Sequence, residues 1–383
     1  MLELLPKIPL YNLYRRFGWP KMLPINYTLS PSPRCNSKCI TCNIWMKRED
    51  ELKIDEWEKV FQSLGNSPFW FTVSGGEPFM FQDIVELCQL LYKYCHPAII
   101  NIPTNSLMHR IIPKKVEAIC RNAPESQVII NLSLDGVGEV HDYIRGIPGN
   151  FEKFEANYVA LRELSRTLPN LNIGIHSVLS NYNIDHAPRL FDYAFSRKPD
   201  SYITEIAEQR VELDTVGIPI TPPADKYSVV IDGLIERLKS QRFHGVSKIT
   251  EAFRIEYYQL VKRILREQTQ VIPCFAGWAS CQIYANGEVW PCCIRADNMA
   301  NLRDVNYDFR KVWYSDEAER IRTSIRNKEC HCPLANASYT NLLMNPATLT
   351  KVGATVALST LTERLDHARR DASPDLDTPV RAA

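Results

Sequence analysis

No stretch of this chain holds the roughly 18 consecutive apolar residues that a membrane-spanning helix needs. Excess charge of one sign is missing as well. The 45 Lys and Arg stand against 44 Asp and Glu, a formal balance of +1. Such a balance leaves no electrostatic footprint for nucleic acid or for an acidic membrane as partner. The first ten residues, MLELLPKIPL, are broken by prolines and carry no small-residue cleavage site, so no secretory signal is expected. No internal repeat is apparent. These absences predict a cytoplasmic globular protein, and 383 residues suffice for one large domain and a smaller one.

Cysteine, by contrast, is plentiful. Twelve residues clustered toward the two ends of the chain read as metal ligands in a reducing compartment, not as a disulfide framework. Near the start, Leu10, Leu13, Tyr14 and Phe17 lie beside Arg15, Arg16 and Lys21. That pattern suits a helix on a membrane surface or one packed under the main domain. The packed helix is the expectation, and membrane association is not.

From residue 25 to about 210, strand-like and helix-like segments alternate. Strands are predicted at Ile25–Ser30, Trp70–Ser74, Ala98–Pro103, Gln127–Leu134, Asn172–Leu179 and Ser201–Ala207. Helices are predicted at Lys53–Leu64, Phe81–Tyr94, Pro113–Arg121, 150–166 and 186–196. Six such alternations imply parallel strands joined by crossovers, a partial (β/α)6 TIM-like barrel of the α/β class. Ligands in such sheets bind at the carboxyl ends of the strands. Residues 1–24 form an N-terminal extension, 25–223 the barrel, and 224–270 a helical bridge. A smaller cysteine-rich α+β domain follows at 271–345, then a C-terminal helix and disordered tail at 346–383.

Directly after the first strand stand Cys35, Cys39 and Cys42, spaced C-x3-C-x2-C. Three thiolates this close converge on one soft metal centre, and three ligands leave a cubane iron open to another ligand. A partial zinc site is the rival. Ser74-Gly75-Gly76-Glu77-Pro78 follows the second strand, where glycines admit close backbone approach and a carboxylate accepts from an ammonium. Near the C-terminus, Cys274, Gly287 and Cys292 are spaced C-x12-G-x4-C, with Cys281, Cys293, Cys330, His331 and Cys332 close by. Asn286-Gly287 predicts a type I′ hairpin, and counting outward from it sets Cys281 opposite Cys292. Four such thiols would also suit structural zinc. Cys88, Cys95 and Cys120 fall in helix-like segments and read as buried thiols.

The cysteine triad and the glycine–glycine–glutamate turn together resemble the radical S-adenosylmethionine (SAM) superfamily. The resemblance implies that Cys35, Cys39 and Cys42 hold a [4Fe–4S] cluster whose fourth iron is chelated by SAM. It implies that Gly75, Gly76 and Glu77 hold the methionyl amino group, with Asn105, Ser133, Asp135 and Arg145 at further strand ends as cofactor contacts. His176 shares that rim. The C-terminal cysteines resemble the SPASM/twitch extension, which holds auxiliary clusters. Only the C-x-C pair at 330–332 remains of its second half, which favours one auxiliary cluster, most simply [4Fe–4S], on Cys274, Cys292, Cys330 and Cys332. Cys281 and Cys293 are rival ligands.

What the resemblance implies is an oxidoreductase that cleaves SAM reductively to a 5′-deoxyadenosyl radical. The radical then takes hydrogen from a peptide or small-molecule substrate in an oxidative or bond-forming modification. A flavodoxin- or ferredoxin-type protein would supply the electron. Carbohydrate dehydrogenation or epimerisation, and a non-catalytic iron–sulfur carrier, are the alternatives. The substrate is not legible, and neither is a residue that quenches the product radical, for which Cys293, Tyr284, Tyr314 and Tyr339 are candidates.

Overall fold

A computed structural model describes residues 4–241 and 246–371. The chain enters through helix α1 (Lys7–Phe17), whose inner face of Ile8, Tyr11 and Tyr14 is buried. The Tyr11 hydroxyl donates to the Leu23 carbonyl at 2.5 Å, so the packed-helix reading holds.

The six expected strands form and pair parallel in chain order: β1 (Asn26–Leu29), β2 (Trp70–Val73), β3 (Ile99–Thr104), β4 (Gln127–Ser133), β5 (Leu171–Leu179) and β6 (Ser201–Ile206). Between them run α2 (Ile54–Leu64), α3 (Ile84–Cys95), α4 (Ile112–Asn122), α5 (Glu139–Arg145), α6 (Asn150–Ser165) and α7 (Ala187–Ser196). The crossover helices other than α5 bury a stripe in the core under the sheet. In α2 that stripe is Trp57, Val60, Phe61 and Leu64, one helical face at the spacing of an amphipathic helix. The helix-facing side of the sheet is apolar: Ile100, Ile102, Val128, Ile130, Leu132, Ile173 and Ile175 are fully buried. The alternate positions point the other way, as a period of two requires, and carry the polar residues of these strands. There Asn131 Nδ2 donates to Asn101 Oδ1 at 2.7 Å, and Ser133 and His176 follow toward the open rim.

Beyond β6 come α8 (Ala224–Ser240) and α9 (Val246–Glu267), the helices expected for the bridge. The cysteine-rich segment then adds β7 (Ser280–Ile283), β8 (Glu288–Trp290) and β9 (Ala300–Asn301) to the barrel sheet, giving the order β6-β5-β4-β3-β2-β1-β7-β8-β9. Because β7 lies parallel to β1, the cluster segment shares the barrel's sheet and core.

The hairpin differs from expectation by one residue. Gly287 takes a positive φ of 91° and Asn286 does not, so the loop runs from Tyr284 to Gly287 and is not type I′. The register pairs Gln282 with Trp290 and Ile283 with Val289. Cys281 is therefore not opposite Cys292; it is buried beside Tyr27 of β1. Last come α10 (Phe309–Trp313), α11 (Asp316–Arg326), α12 (Ala335–Met344) and α13 (Pro346–Asp371). The disordered tail expected from about residue 364 is helical to Asp371, and residues 372–383 lie outside the described residues.

One buried cluster fastens α2 to the cluster segment. Glu56 accepts from Arg303 Nε at 2.8 Å, from the Tyr307 hydroxyl at 2.6 Å and from the Lys53 backbone N–H at 2.7 Å. The Arg303 hydrogen bond, first among these, holds its carboxyl down to about 2. The folded value lies below the unfolded one, so this stabilisation is complete above the ordinary carboxylate range and is lost as pH falls toward about 2. Glu56→Gln should cost about 2 kcal/mol at neutral pH and flatten the acid limb of a denaturation profile. An unchanged acid limb would show that the contact carries no such weight.

Candidate functional site

The rim at the carboxyl ends of β1 to β6 encloses a cavity, and the cysteine loop forms one wall of it. Cys35, Cys39 and Cys42 all line this cavity. The loop is pinned by α5: Lys38 N–H donates to the Arg145 carbonyl at 3.1 Å, Ser37 Oγ to the same oxygen at 2.8 Å, and Ile40 N–H to the Ile144 carbonyl at 3.0 Å. Burial pushes the Cys35 thiol up to about 11 and Cys42 up to about 12. Any metal bound here displaces their protons.

Gly75, Gly76 and Glu77 line the opposite wall. The Gly76 and Glu77 N–H groups donate to the carbonyls of Ser32 and Arg34, both at 2.9 Å, tying this turn to the approach of the cysteine loop. An ammonium needs acceptors, so this use of N–H groups takes nothing from it. Glu77 is more tightly held than a lone ligand-binding carboxylate. It accepts from Thr104 Oγ1 at 2.9 Å, the Asn105 N–H at 2.8 Å and the Phe79 N–H at 3.2 Å. Burial outweighs these bonds and pushes its carboxyl up to about 7. A cation beside it would restore the charge.

Asn105 and Ser133 both line the cavity, and Asn105 Nδ2 lies 3.7 Å from Cys35 Sγ. Arg145 lines it as well. Asp135 does not: it stands behind Arg145, which it holds at 3.1 Å, and it also accepts the Val178 N–H at 2.8 Å. Its place is that of a group that orients Arg145. His141 supports the same turn, its Nδ1 accepting the Asp135 N–H at 3.1 Å, and burial lowers its pKa to about 4, so it is neutral.

The sequence reading missed the strand-end run Glu205, Glu208 and Arg210, which completes the rim. Their position at the end of β6 (Glu205) and directly after it (Glu208, Arg210) was the available signal. Glu205 contacts His176 Nε2 at 3.1 Å and Arg210 at 3.6 Å. Burial opposes its charge, yet those two neighbours hold its carboxyl below the usual value. Glu208 is 6% exposed, and both its oxygens are buried without a hydrogen-bond partner. Arg210 lies 4.0 Å away, and burial pushes the Glu208 carboxyl up to about 8. A raised carboxyl binds a proton in the folded state that the unfolded chain releases, so stability falls as pH rises from about 4.5 to about 8. Glu208→Gln should remove the upper part of that slope, read as the pH dependence of the melting temperature. A slope that persists above pH 7 would contradict this.

A second cavity is lined by Cys274, Cys292, Cys330 and Cys332 together. Cys281 and Cys293 do not line it, and Cys293 instead approaches Arg210 Nη1 at 3.9 Å. Among the described residues no three Cys, His, Asp or Glu side chains gather tightly enough for a single metal ion. Four thiols around one cavity are the ligand set of an iron–sulfur cluster and equally of a structural zinc. Cys88, Cys95 and Cys120 are buried in α3 and α4, as expected. Of the four radical-quenching candidates none lines the barrel cavity. Tyr284 stacks on Trp290 at 4.2 Å, Tyr339 on Tyr257 at 4.9 Å, and Tyr314 lies under Lys21.

Residues 29–194 match the radical SAM superfamily, and residues 274–333 match the SPASM iron–sulfur cluster-binding domain, together more than half of the chain. Fe-coproporphyrin III synthase of Methanosarcina barkeri is 29% identical over 165 residues, 42% of this chain and 38% of that protein. AdoMet-dependent heme synthase of the same organism is 25% identical over 303 residues, 75% and 81% of the two chains. The subtilosin biosynthesis protein AlbA of Bacillus subtilis is 23% identical over 332 residues, 82% and 66%. The chain thus spans well under half of the first of these relatives and about two thirds of the last. In structure it resembles SuiB of Streptococcus suis bound to the precursor peptide SuiA, with a TM-score of 0.56 at 16% identity over 79% and 67% of the two chains. The first domain brings a [4Fe–4S] cluster and SAM, the second further iron–sulfur, and the two thiol-lined cavities fit both. The chain belongs to the radical SAM superfamily and carries a C-terminal SPASM domain.

Proposed function

We propose that this chain modifies a peptide by hydrogen-atom abstraction, with an oxidative or bond-forming outcome. SAM bound at a reduced [4Fe–4S] cluster supplies the carbon radical that takes the hydrogen. In this reading Cys35, Cys39 and Cys42 hold the cluster, and Gly75, Gly76 and Glu77 receive the methionyl ammonium. Arg145, oriented by Asp135, pairs with the carboxylate, and Asn105 and Ser133 face the nucleoside. Cys274, Cys292, Cys330 and Cys332 hold one auxiliary cluster, and a flavodoxin or ferredoxin delivers the electron.

The observation that carries the choice of substrate is Glu208. It lines the cavity beside Glu205, its two buried oxygens make no hydrogen bond, and its nearest cation, Arg210 at 4.0 Å, is shared with Glu205. Burial keeps Glu208 protonated near neutral pH, so it can donate to a carbonyl and accept from an N–H, the two groups a peptide backbone presents together. The carboxylates of a porphyrin would meet the ionised Glu205 there. SuiB bound to a precursor peptide, and AlbA by its name, support the same choice.

The test is anaerobic co-expression with each short open reading frame flanking the gene, followed by mass spectrometry of the peptides. A mass change in one peptide, absent with Cys35→Ala, is the expected result. Unmodified peptides, with purified enzyme consuming iron-coproporphyrin III instead, would overturn the peptide reading.

A further inference from the structure

Far from the cysteine cavities, α1 has a second face. Its inner face is committed to the fold, with Tyr11 on Leu23 and Asn12 Nδ2 donating to the Met344 carbonyl at 3.0 Å. The outer face places Leu10, Leu13 and Phe17 in one stripe at helical spacing, with Leu5 before the helix and Trp19 just after it. Leu10 and Leu13 are each 40% exposed, Phe17 66% and Trp19 73%. Such a run is not needed to hold the helix in place, and water is a poor environment for it.

Along the N-terminal segment the charge beside this stripe has one sign, and the neighbouring acid Glu319 lies by Tyr14 on the inner face. Lys7, Arg16 and Lys21 flank it, and no Asp or Glu occurs from Leu4 through Arg48. We infer that this face docks on an anionic phospholipid bilayer, with α1 lying in the plane of the interface. Leucine and aromatic side chains enter the boundary between headgroups and acyl chains, tryptophan prefers that depth, and basic side chains remain among lipid phosphates. Among the described residues no helix is long and apolar enough to cross a membrane, so the attachment is peripheral. An acidic protein partner would satisfy the charges, but the most exposed members, Phe17 and Trp19, suit a surface they can penetrate.

The chain-wide balance of +1 hid this asymmetry, because the acids that offset it lie elsewhere in the sequence. The inference does not depend on the proposed chemistry.

The test is co-sedimentation of the full-length, iron-loaded protein with large vesicles. One set is an equal mixture of phosphatidylglycerol and phosphatidylcholine, and the other is phosphatidylcholine alone. The protein should pellet with the anionic vesicles and be released by high salt. Phe17→Ser with Trp19→Ser, and separately Arg16→Glu with Lys21→Glu, should each weaken binding about tenfold or more while iron content and melting temperature stay unchanged. The salt dependence of the wild type gives an independent reading if a variant misfolds. Failure of the wild type to pellet, equal binding to both vesicle types, variants that bind like the wild type, or a dimer abolished by the same substitutions without vesicle binding would each overturn the inference.

Discussion

Alanine at Cys35, Cys39 and Cys42 together is expected to lower the iron content of anaerobically reconstituted protein from about eight atoms per chain to about four, and to abolish formation of 5′-deoxyadenosine from SAM. The argument rests on the separation of the two thiol-lined cavities. One is bounded by this triad and the Gly75–Glu77 turn, the other by Cys274, Cys292, Cys330 and Cys332, and no cysteine lines both. Removing three thiols from the first leaves the second ligand set whole. The loop itself should survive, since its tethers to Arg145 and Ile144 are made by the Lys38 and Ile40 backbone and the Ser37 hydroxyl. The triple variant should therefore fold, retain the auxiliary iron and be inert. About four irons in the wild type, with none in the variant, would instead make the C-terminal cysteines a zinc or structural site. Full iron loading without deoxyadenosine, even with substrate present, would favour an electron carrier.

Much of this was legible in the sequence because the relevant physics is local. Period-two alternation marked the strands, and the 3.6-residue stripe of Trp57, Val60, Phe61 and Leu64 marked α2. Cys35, Cys39 and Cys42 lie within eight residues of one another, so their grouping needed no tertiary information. The failures have tertiary causes. A single positive φ at Gly287 shifted the hairpin register and moved Cys281 away from Cys292, a choice of turn type that Asn-Gly alone does not settle. Asp135 was read as a contact because it ends β4, yet its side chain turns toward Arg145 and the Val178 N–H. Glu205 and Glu208 carry no motif, and their importance appears only when β6 closes the rim beside the cysteine loop. The sharing of one sheet by β7 and β1 joins residues more than 250 positions apart, beyond the reach of any pattern of spacing.

Gly146→Ala is expected to destabilise the protein by about 3 kcal/mol and to reduce iron at the first site selectively. Gly146 ends α5 at φ 67°, in the left-handed region. A Cβ there would collide with the Lys38 carbonyl, a backbone atom inside the cysteine loop that cannot rotate away as a side-chain tip would. Two effects therefore combine. Left-handed backbone costs an alanine about 1 kcal/mol relative to glycine. The collision must then push α5 and the Cys35–Cys42 loop apart, straining the Lys38-to-Arg145 and Ile40-to-Ile144 hydrogen bonds that hold the three thiols in place. Cys274, Cys292, Cys330 and Cys332 line a separate cavity and should keep their iron. Gly149 is the control: at φ 73° and ψ 15° it is also left-handed, but a Cβ there meets nothing, so Gly149→Ala carries the backbone penalty without the collision. If both variants lose equal stability and both keep full iron, the clamp between α5 and the cysteine loop does not set the geometry of the first cluster. Selective loss in Gly146→Ala alone would place the control of that geometry in the contact with α5.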